Sequence, residues 1–279
     1  MRCGNQEFIF GARTYVMGII NVTPDSFSDG GLYYSPDKAY ERAMQLIEEG
    51  ADVIDIGGES TRPQALPVCA EEELERILPV VKRLEKVNMR QISIDTRHAL
   101  TAQVCLDAGA SWINDVSAFS YDPKMVQVCR HADASILMHA RGTPQNMQSQ
   151  TQYTNVMSEV SSYLKERVEF AAESGISISK LIVDPGIGFA KEAKHDVEIL
   201  GNMSAFSFDK IPVLAAMSRK KFIKAITGIE NPQDRDVCTI AALSAAVLSG
   251  ANIVRVHNVK WAKEALKIID RIQATVYST

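Results

Sequence analysis

Residues 36–56 read PDKAYERAMQLIEEGADVIDI, and this stretch contains the unit from which the chain is built. Pro36–Glu49 reads as a helix. Glu49-Gly50-Ala51-Asp52 is a small linker, and its glycine suits the left-handed residue that ends a helix before the chain turns back. Val53–Ile56 is short and apolar apart from Asp55, as expected of a parallel strand covered on both faces. The same order recurs at Asp107-Ala108-Gly109-Ala110 before Trp112, and at Leu248-Ser249-Gly250-Ala251 before Ile253.

Working outward, strands are expected at Val16–Asn21, Val53–Ile56, Ile92–Asp95, Trp112–Asn114, Ile136–His139, Leu181–Asp184, Val213–Ala215 and Ile253–His257. Helices are expected at Pro36–Glu49, Ala70–Lys86, Ala99–Ala108, Asn155–Ser174, Arg235–Ser249 and Lys260–Ile272. In the second of these, Leu74, Ile77, Leu78, Val81 and Leu84 recur at three- and four-residue steps, giving one buried face. Eight strands alternating with helices predict an α/β fold, a (β/α)8 TIM barrel forming one domain over residues 1–279. An open doubly wound sheet is the alternative, but no dinucleotide-type glycine fingerprint follows the first strand. Ahead of that strand, Glu7–Phe10 and Arg13–Val16 around Gly11-Ala12 predict a short N-terminal β-hairpin capping the barrel bottom.

The 279 residues are 46% hydrophobic and 23% charged, ordinary for a protein with a large core. A formal charge of −4 leaves no basic footprint and argues against a nucleic-acid partner. Met1–Gly11 has no apolar stretch of signal-peptide length, and Thr239–Leu248 falls short of the roughly 20 residues of a membrane span. A cytoplasmic protein without a membrane partner is expected. The five cysteines are scattered and odd in number, which favours reduced packing residues over a metal site or disulfide framework.

Strand after strand finishes in a polar residue: Asn21, Asp55, Asp95, Asn114, His139, Asp184, and the pair Arg255 and His257. In a β/α barrel those ends converge on one mouth, where loops build the active site. Arg255 and His257 are two apart and share a strand face. Taken singly, Asp95 also reads as a cap for a helix starting near Thr96, and Asp184 as a cap for the turn at Pro185-Gly186. Asp55, Asp95, Asp184 and Asn114 make an acceptor-rich interior, while Arg62, Lys220, Arg255 and His257 make a cationic rim. Such a cup suits a substrate with a polar ring at one end and a phosphate-type group at the other.

Two loops, Asn21–Gly31 and Gly57–Pro63, are richer than plain connections, although their Pro-Asp-Ser and Asp-Gly-Gly runs are also good turn formers. Phe27 is placed to cover a site and exclude water. Neither loop is a metal-ligand pattern, but Asn21 with phosphate oxygens and waters is a candidate Mg2+ ligand. No Gly-x-Ser-x-Gly elbow is present, and no cysteine ends a strand, which disfavours covalent catalysis.

These motifs together resemble the dihydropteroate synthases of folate biosynthesis. The resemblance runs through residues 17–31, 55–63, Ser93-Ile94-Asp95-Thr96, Ile113-Asn114-Asp115-Val116 and Met138-His139. It continues through Asp184-Pro185-Gly186-Ile187-Gly188-Phe189, Ser218-Arg219-Lys220 and Arg255-Val256-His257. The family implies condensation of 6-hydroxymethyl-7,8-dihydropterin diphosphate with 4-aminobenzoate, with loss of pyrophosphate first and attack of the aminobenzoate amine second. By resemblance, Asp95, Asn114, Met138, Asp184 and Lys220 hold the pterin. Asn21, Arg255 and His257 hold pyrophosphate with Mg2+. Phe27, Thr61, Arg62, Pro63, Phe189, Lys220 and Lys221 shape the 4-aminobenzoate pocket, where sulfonamides are also expected. Asp29, Asp95, Lys220, Arg255 and His257 carry the chemistry, and the substrate amine replaces a protein nucleophile.

Lys221, Gln64, Ala216 and Asn258 depart from the commoner family residues serine, glycine, glycine and aspartate. Lys221 keeps a charge suited to a carboxylate, so altered affinity is expected rather than lost activity. The family also implies a homodimer, to which Ile240–Leu248 is a candidate contributor, as it is to the core. Two other readings are a catalytically silent pterin-binding paralogue and a folate-dependent methyltransferase. The latter needs neither Ser218-Arg219-Lys220 nor the anion pocket.

Overall fold

The computed structural model describes residues 1–23, 35–60 and 65–276. Two short strands, β1 (Arg2–Cys3) and β2 (Gln6–Glu7), pair antiparallel. Eight parallel strands follow: β3 (Tyr15–Asn21), β4 (Val53–Gly57), β5 (Ile92–Asp95), β6 (Trp112–Asp115), β7 (Ala134–Met138), β8 (Leu181–Asp184), β9 (Leu214–Ala215) and β10 (Ile253–Val256). Their spatial order is β8-β7-β6-β5-β4-β3-β10-β9. The ring closes through a parallel bridge between Val183 and Val213, where the Val183 amide donates to the Pro212 carbonyl at 3.0 Å. The helices are α1 (Pro36–Glu48), α2 (Ala70–Lys86), α3 (Ala99–Asp107), α4 (Met125–Cys129), α5 (Val156–Glu173), α6 (Ala193–Leu200), α7 (Lys221–Thr227), α8 (Asp236–Leu248) and α9 (Val259–Val276). This is the expected (β/α)8 barrel.

Local chemistry sets the boundaries. Ser35 caps α1 by accepting from the Lys38 amide, and Pro36 occupies the first turn, where its missing N–H costs nothing. Asn155 caps α5 through the Ser158 amide at 2.9 Å. Gly50, Gly109 and Gly250 all take positive φ, as the three linkers predict. Helix α2 buries Ile77, Val80, Val81 and Leu84, each stabilising the fold by about 1.5–3 kcal/mol. It also buries Glu73, which lies among acidic residues and reads in sequence as solvated.

The hairpin differs from expectation. It turns at Gly4-Asn5 rather than Gly11-Ala12, and Phe10 and Arg13 share only an isolated bridge. The reason is competition. Tyr15 and Val16 pair with Ile253 and Val254 of β10, so their backbone groups are committed to the barrel. The Ile9 amide donates instead to the Tyr15 hydroxyl at 2.8 Å. The segment still seals the barrel bottom. Phe8 lies 4.4 Å from Tyr15 and 5.1 Å from Trp112, ring centre to ring centre, and Trp112 Nε1 donates to the Arg2 carbonyl at 2.7 Å.

Two apolar layers result. One lies between strands and helices; the other fills the barrel with Met17, Val53, Trp112, Ala134, Ile136, Ile182, Leu214 and Ile253.

Candidate active site

Side chains alternate across a strand with a period of two, so the inner layer fixes which later residues face inward. Continuing from Met17 gives Ile19 and Asn21; from Val53, Asp55; from Trp112, Asn114; from Ile136, Met138. Ile182 leads to Asp184, Leu214 to Ala216 and Ser218, and Ile253 to Arg255 and His257. Cross-strand register makes Asp95 the neighbour of Asn114, and Met138 the neighbour of Asp184. These residues meet at the carboxyl ends of the strands. There a cavity of about 440 Å³ is lined by Ile19, Asn21, Thr23, Ser60, Asp95, Met147, Phe189, Ala216, Ser218, Lys220, Lys221, Arg255 and His257, among others, whereas Asp55, Asn114, Met138 and Asp184 are buried and do not line it.

His139 does not join them. It follows the inward-facing Met138 by one residue, and parity sends it to the outer side of the sheet. There it is buried beside the rings of Tyr163 and Tyr153, with Lys191 Nζ 2.9 Å from its Nδ1. The polar rim expected from strand ends therefore loses one member.

The charges also interleave instead of forming an acidic base beneath a cationic lip. Arg255 Nε donates to Asp55 Oδ2 at 2.6 Å, and Nη2 donates to Asp95 Oδ2 at 2.7 Å. Asn114 Nδ2 also donates to Asp55 Oδ2, at 3.2 Å, whereas the buried Asp55 Oδ1 has no partner. Burial is costly for two carboxylates, and one guanidinium between them offsets part of that cost. Burial pushes the Asp95 pKa up to about 7, against the opposing pull of Arg255.

The capping readings separate. Asp95 caps nothing, because α3 starts at Ala99 and its amide donates to Asp122 Oδ2. Asp184 does serve its turn, since Oδ1 accepts from the Gly186 amide at 2.7 Å. Burial raises the Asp184 pKa, opposed chiefly by Lys220.

Lys220 sits at the N-cap of α7; its Nζ donates to the Ile187 carbonyl and lies 4.8 Å from the centre of the Phe189 ring. Burial lowers its pKa to about 8. The Ser218 hydroxyl accepts from the His257 amide at 3.2 Å and lies 2.9 Å from His257 Nδ1, which fixes the imidazole. Arg219, the middle of the Ser-Arg-Lys motif, forms a bidentate pair with Asp236 at 2.7 and 2.9 Å and ties the loop to α8. Asn258 Nδ2 donates to the same Asp236 carboxylate at 3.0 Å. An aspartate there would set two carboxylates against each other.

Lys221 begins α7, is exposed, and has no acceptor among the described residues, in contrast to Lys224, which pairs with Glu230 at 2.6 Å. Asn21 likewise has no side-chain hydrogen bond among the described residues. No cluster of three histidine, cysteine or acidic side chains suited to a metal occurs among them. Phe27, Asp29, Thr61, Arg62, Pro63 and Gln64 lie outside the described residues.

Among the buried ionisable groups that the sequence does not mark, three lie against the loops of the site. Glu73 sits beneath the second loop, where a Cβ on Gly58 would fall 2.9 Å from Glu73 Cγ. Lys191 and Asp196 sit behind the Gly186–Ala190 loop. All three occur in strings of charged residues, so nothing in their local sequence marks them as buried.

A barrel whose cavity is lined by an aspartate, an arginine–histidine pair and a lysine, with Asn114 beside Asp95 and Asp184 acting on Lys220, suits an enzyme that seats a polar ring beside a phosphate-type group. Comparison with known proteins narrows this. The family described as "Pterin binding enzyme" matches residues 17–257. The dihydropteroate synthase of Synechocystis is 41% identical over 270 residues, covering 96% of this chain and 93% of its own. The Yersinia pestis dihydropteroate synthase, solved as a sulfonamide drug complex, aligns with a TM-score of 0.92 at 36% identity, over 97% of this chain and 98% of that one. The Burkholderia cenocepacia enzyme complexed with 7,8-dihydropteroate gives 0.87 at 36% identity, over 99% and 97%. The chain spans about half (51%) of the mitochondrial folate synthesis bifunctional protein of Arabidopsis thaliana, at 40% identity. The chain belongs to the pterin binding enzyme family and, within it, to the dihydropteroate synthases, transferases of folate synthesis.

Proposed function

We propose that this mouth joins 6-hydroxymethyl-7,8-dihydropterin diphosphate to 4-aminobenzoate, giving 7,8-dihydropteroate and pyrophosphate. The observation that carries the proposal is the convergence of Asp95, Asn114, Asp184, Lys220 and Arg255 from separate strands and one loop. The pterin's ring N–H and amino groups donate to Asp95, Asn114 and Asp184 beside Met138, and Lys220 meets its carbonyl edge. Arg255 commits two of its five N–H donors to Asp55 and Asp95, leaving three for a pyrophosphate that His257 and Asn21 also contact.

The carbon–oxygen bond to the diphosphate breaks, and its electron pair leaves with the oxygen. Arg255 and His257 stabilise that departing charge, while Asp95, with Asp29, stabilises the pterin cation. The amine of 4-aminobenzoate then forms the carbon–nitrogen bond and releases a proton to pyrophosphate or water. Phe27, Thr61, Arg62, Pro63, Phe189 and Lys220 form the aminobenzoate pocket, and Lys221 meets its carboxylate. Sulfonamides compete for the same pocket.

The donor set suits magnesium only with help from substrate. Asn21 offers one amide oxygen, with no metal-binding cluster among the described residues, and Mg2+ favours phosphate oxygens and water for its remaining positions. When bound, the ion would neutralise charge on the diphosphate. A homodimer and a cytoplasmic location belong to the same proposal. Exposed Val237, Leu248, Trp261 and Ile268 on α8 and α9 support the first, and five unpaired cysteines support the second. Among the described residues, no helix is long and apolar enough to cross a membrane.

The test is a pyrophosphate-release assay with both substrates and Mg2+. Release that requires 4-aminobenzoate, yields dihydropteroate and is inhibited by a sulfonamide is expected. Pterin binding without turnover would overturn the assignment.

A further inference from the structure

Outside the cavity, one buried cation stands apart from the chemistry proposed above. Lys191 is 5% exposed, and its Nζ has three partners: His139 Nδ1 at 2.9 Å, the Gly186 carbonyl at 2.9 Å and the Phe189 carbonyl at 3.1 Å. An ammonium has three N–H donors, so all three are used. A buried charge is expensive, and burial lowers the Lys191 pKa to about 7 against the pull of Asp196 and Asp184; the ammonium is favoured by the acceptors that hold it.

Those acceptors belong to the loop that carries Phe189 to the cavity. Gly186, Gly188 and Ala190 all take positive φ, at 71°, 78° and 50°. Such a backbone needs to be held, particularly at the non-glycine residue. From behind, Lys191 holds two carbonyls, and Asp196 Oδ1 accepts from the Gly188 amide at 2.7 Å. On the other side, the Ile187 carbonyl accepts from Lys220, and the Phe189 ring lies beside the same ammonium. One face of the loop is thus clamped while the other presents Phe189 and orients Lys220.

We infer that Lys191 is a positioning residue for the 4-aminobenzoate half of the reaction, acting through the Gly186–Ala190 loop on Phe189 and Lys220. The inference rests on the functional reading above. It requires His139 to be a neutral acceptor at Nδ1 with its proton on Nε2. Burial, followed by the charges of Lys191 and Arg141, pushes the His139 pKa down to about 2, in accord with a neutral ring.

Two measurements test it. In steady-state kinetics, Lys191→Met should raise KM for 4-aminobenzoate about tenfold, while kcat and KM for the pterin diphosphate stay within about threefold. Lys191→Gln, whose amide keeps two donors for the carbonyls, should fall between Lys191→Met and wild type. Nitrogen NMR of the wild-type protein should find His139 as the Nε2–H tautomer. A folded Lys191→Met with unchanged aminobenzoate KM, a loss confined to kcat, an Nδ1–H tautomer, or failure of both variants to fold would each overturn the inference. Wild-type protein without turnover would instead sink the functional reading, leaving the tautomer result as a separate check on the clamp.

Discussion

Replacing Glu73 by glutamine should remove a large pH dependence from the stability of the fold. Glu73 is fully buried on α2; Oε2 accepts from Thr96 Oγ1 at 2.7 Å, and Oε1 has no partner. Burial moves its pKa from 4.5 to about 7, against the Thr96 hydrogen bond. A carboxyl group whose folded pKa lies above its unfolded value favours the fold in its protonated form. That stabilisation is complete below the unfolded value and is lost as pH rises through about 7. At about 1.36 kcal/mol per tenfold change in proton affinity, the total is about 3 kcal/mol, and about 2.5 kcal/mol of it falls between pH 5 and pH 8. Glutamine keeps an acceptor for Thr96 and cannot ionise. Urea denaturation of wild type and Glu73→Gln at those two pH values should show the variant gaining about 2.5 kcal/mol on wild type at the higher pH. Asp115, Asp184 and Asp196 also have raised pKa values, but they titrate in both proteins and cancel in the difference to first order, whereas Asp95 is raised in part by the Glu73 charge, so its titration adds to the difference in the same direction. An unchanged difference, within about 0.5 kcal/mol, would refute the claim that Glu73 ionises inside the folded core.

Arg255→Ala should reduce kcat/KM for the pterin diphosphate by an amount worth about 2–5 kcal/mol and should destabilise the fold, because Asp55 and Asp95 lose their shared partner. Unchanged kinetics would remove Arg255 from the site. Lys221→Ala should raise KM for 4-aminobenzoate by about 3–10-fold, with the difference shrinking as salt screens the exposed charge. A salt-independent effect would point to packing instead. Gly186→Ala should lower stability by more than about 2 kcal/mol, since its Cβ would stand 1.9 Å from the His139 carbonyl oxygen at a φ of 71°. Thermal denaturation checks this, and an unmoved midpoint would contradict the close approach.

Much of the site could be read before any coordinates because barrel geometry is periodic. A strand of known direction places its last inward residue at the mouth, so Asp95, Asn114, Asp184 and Arg255 could be named from their positions. The same rule, applied strictly by parity, would have excluded His139, which the criterion of a polar strand end admits. The hairpin shift at Gly4-Asn5 has a different origin. Two neighbouring segments compete for one set of backbone donors, and local turn propensity does not decide which of them wins.

By itself the sequence determined the order of the eight barrel strands and of six helices (not the shorter α4, α6 and α7), the three glycine helix ends and the family, since these depend on local periodicity, on φ requirements and on motifs contiguous in the chain. The tertiary structure alone decided that Arg255 lies between Asp55 and Asp95, 200 and 160 residues away, and that Glu73 and Lys191 are buried while Lys221 is exposed. Local sequence does not encode desolvation. Whether a charge is solvated or enclosed depends on which distant elements close over it, and that in turn sets its pKa and the partner it takes.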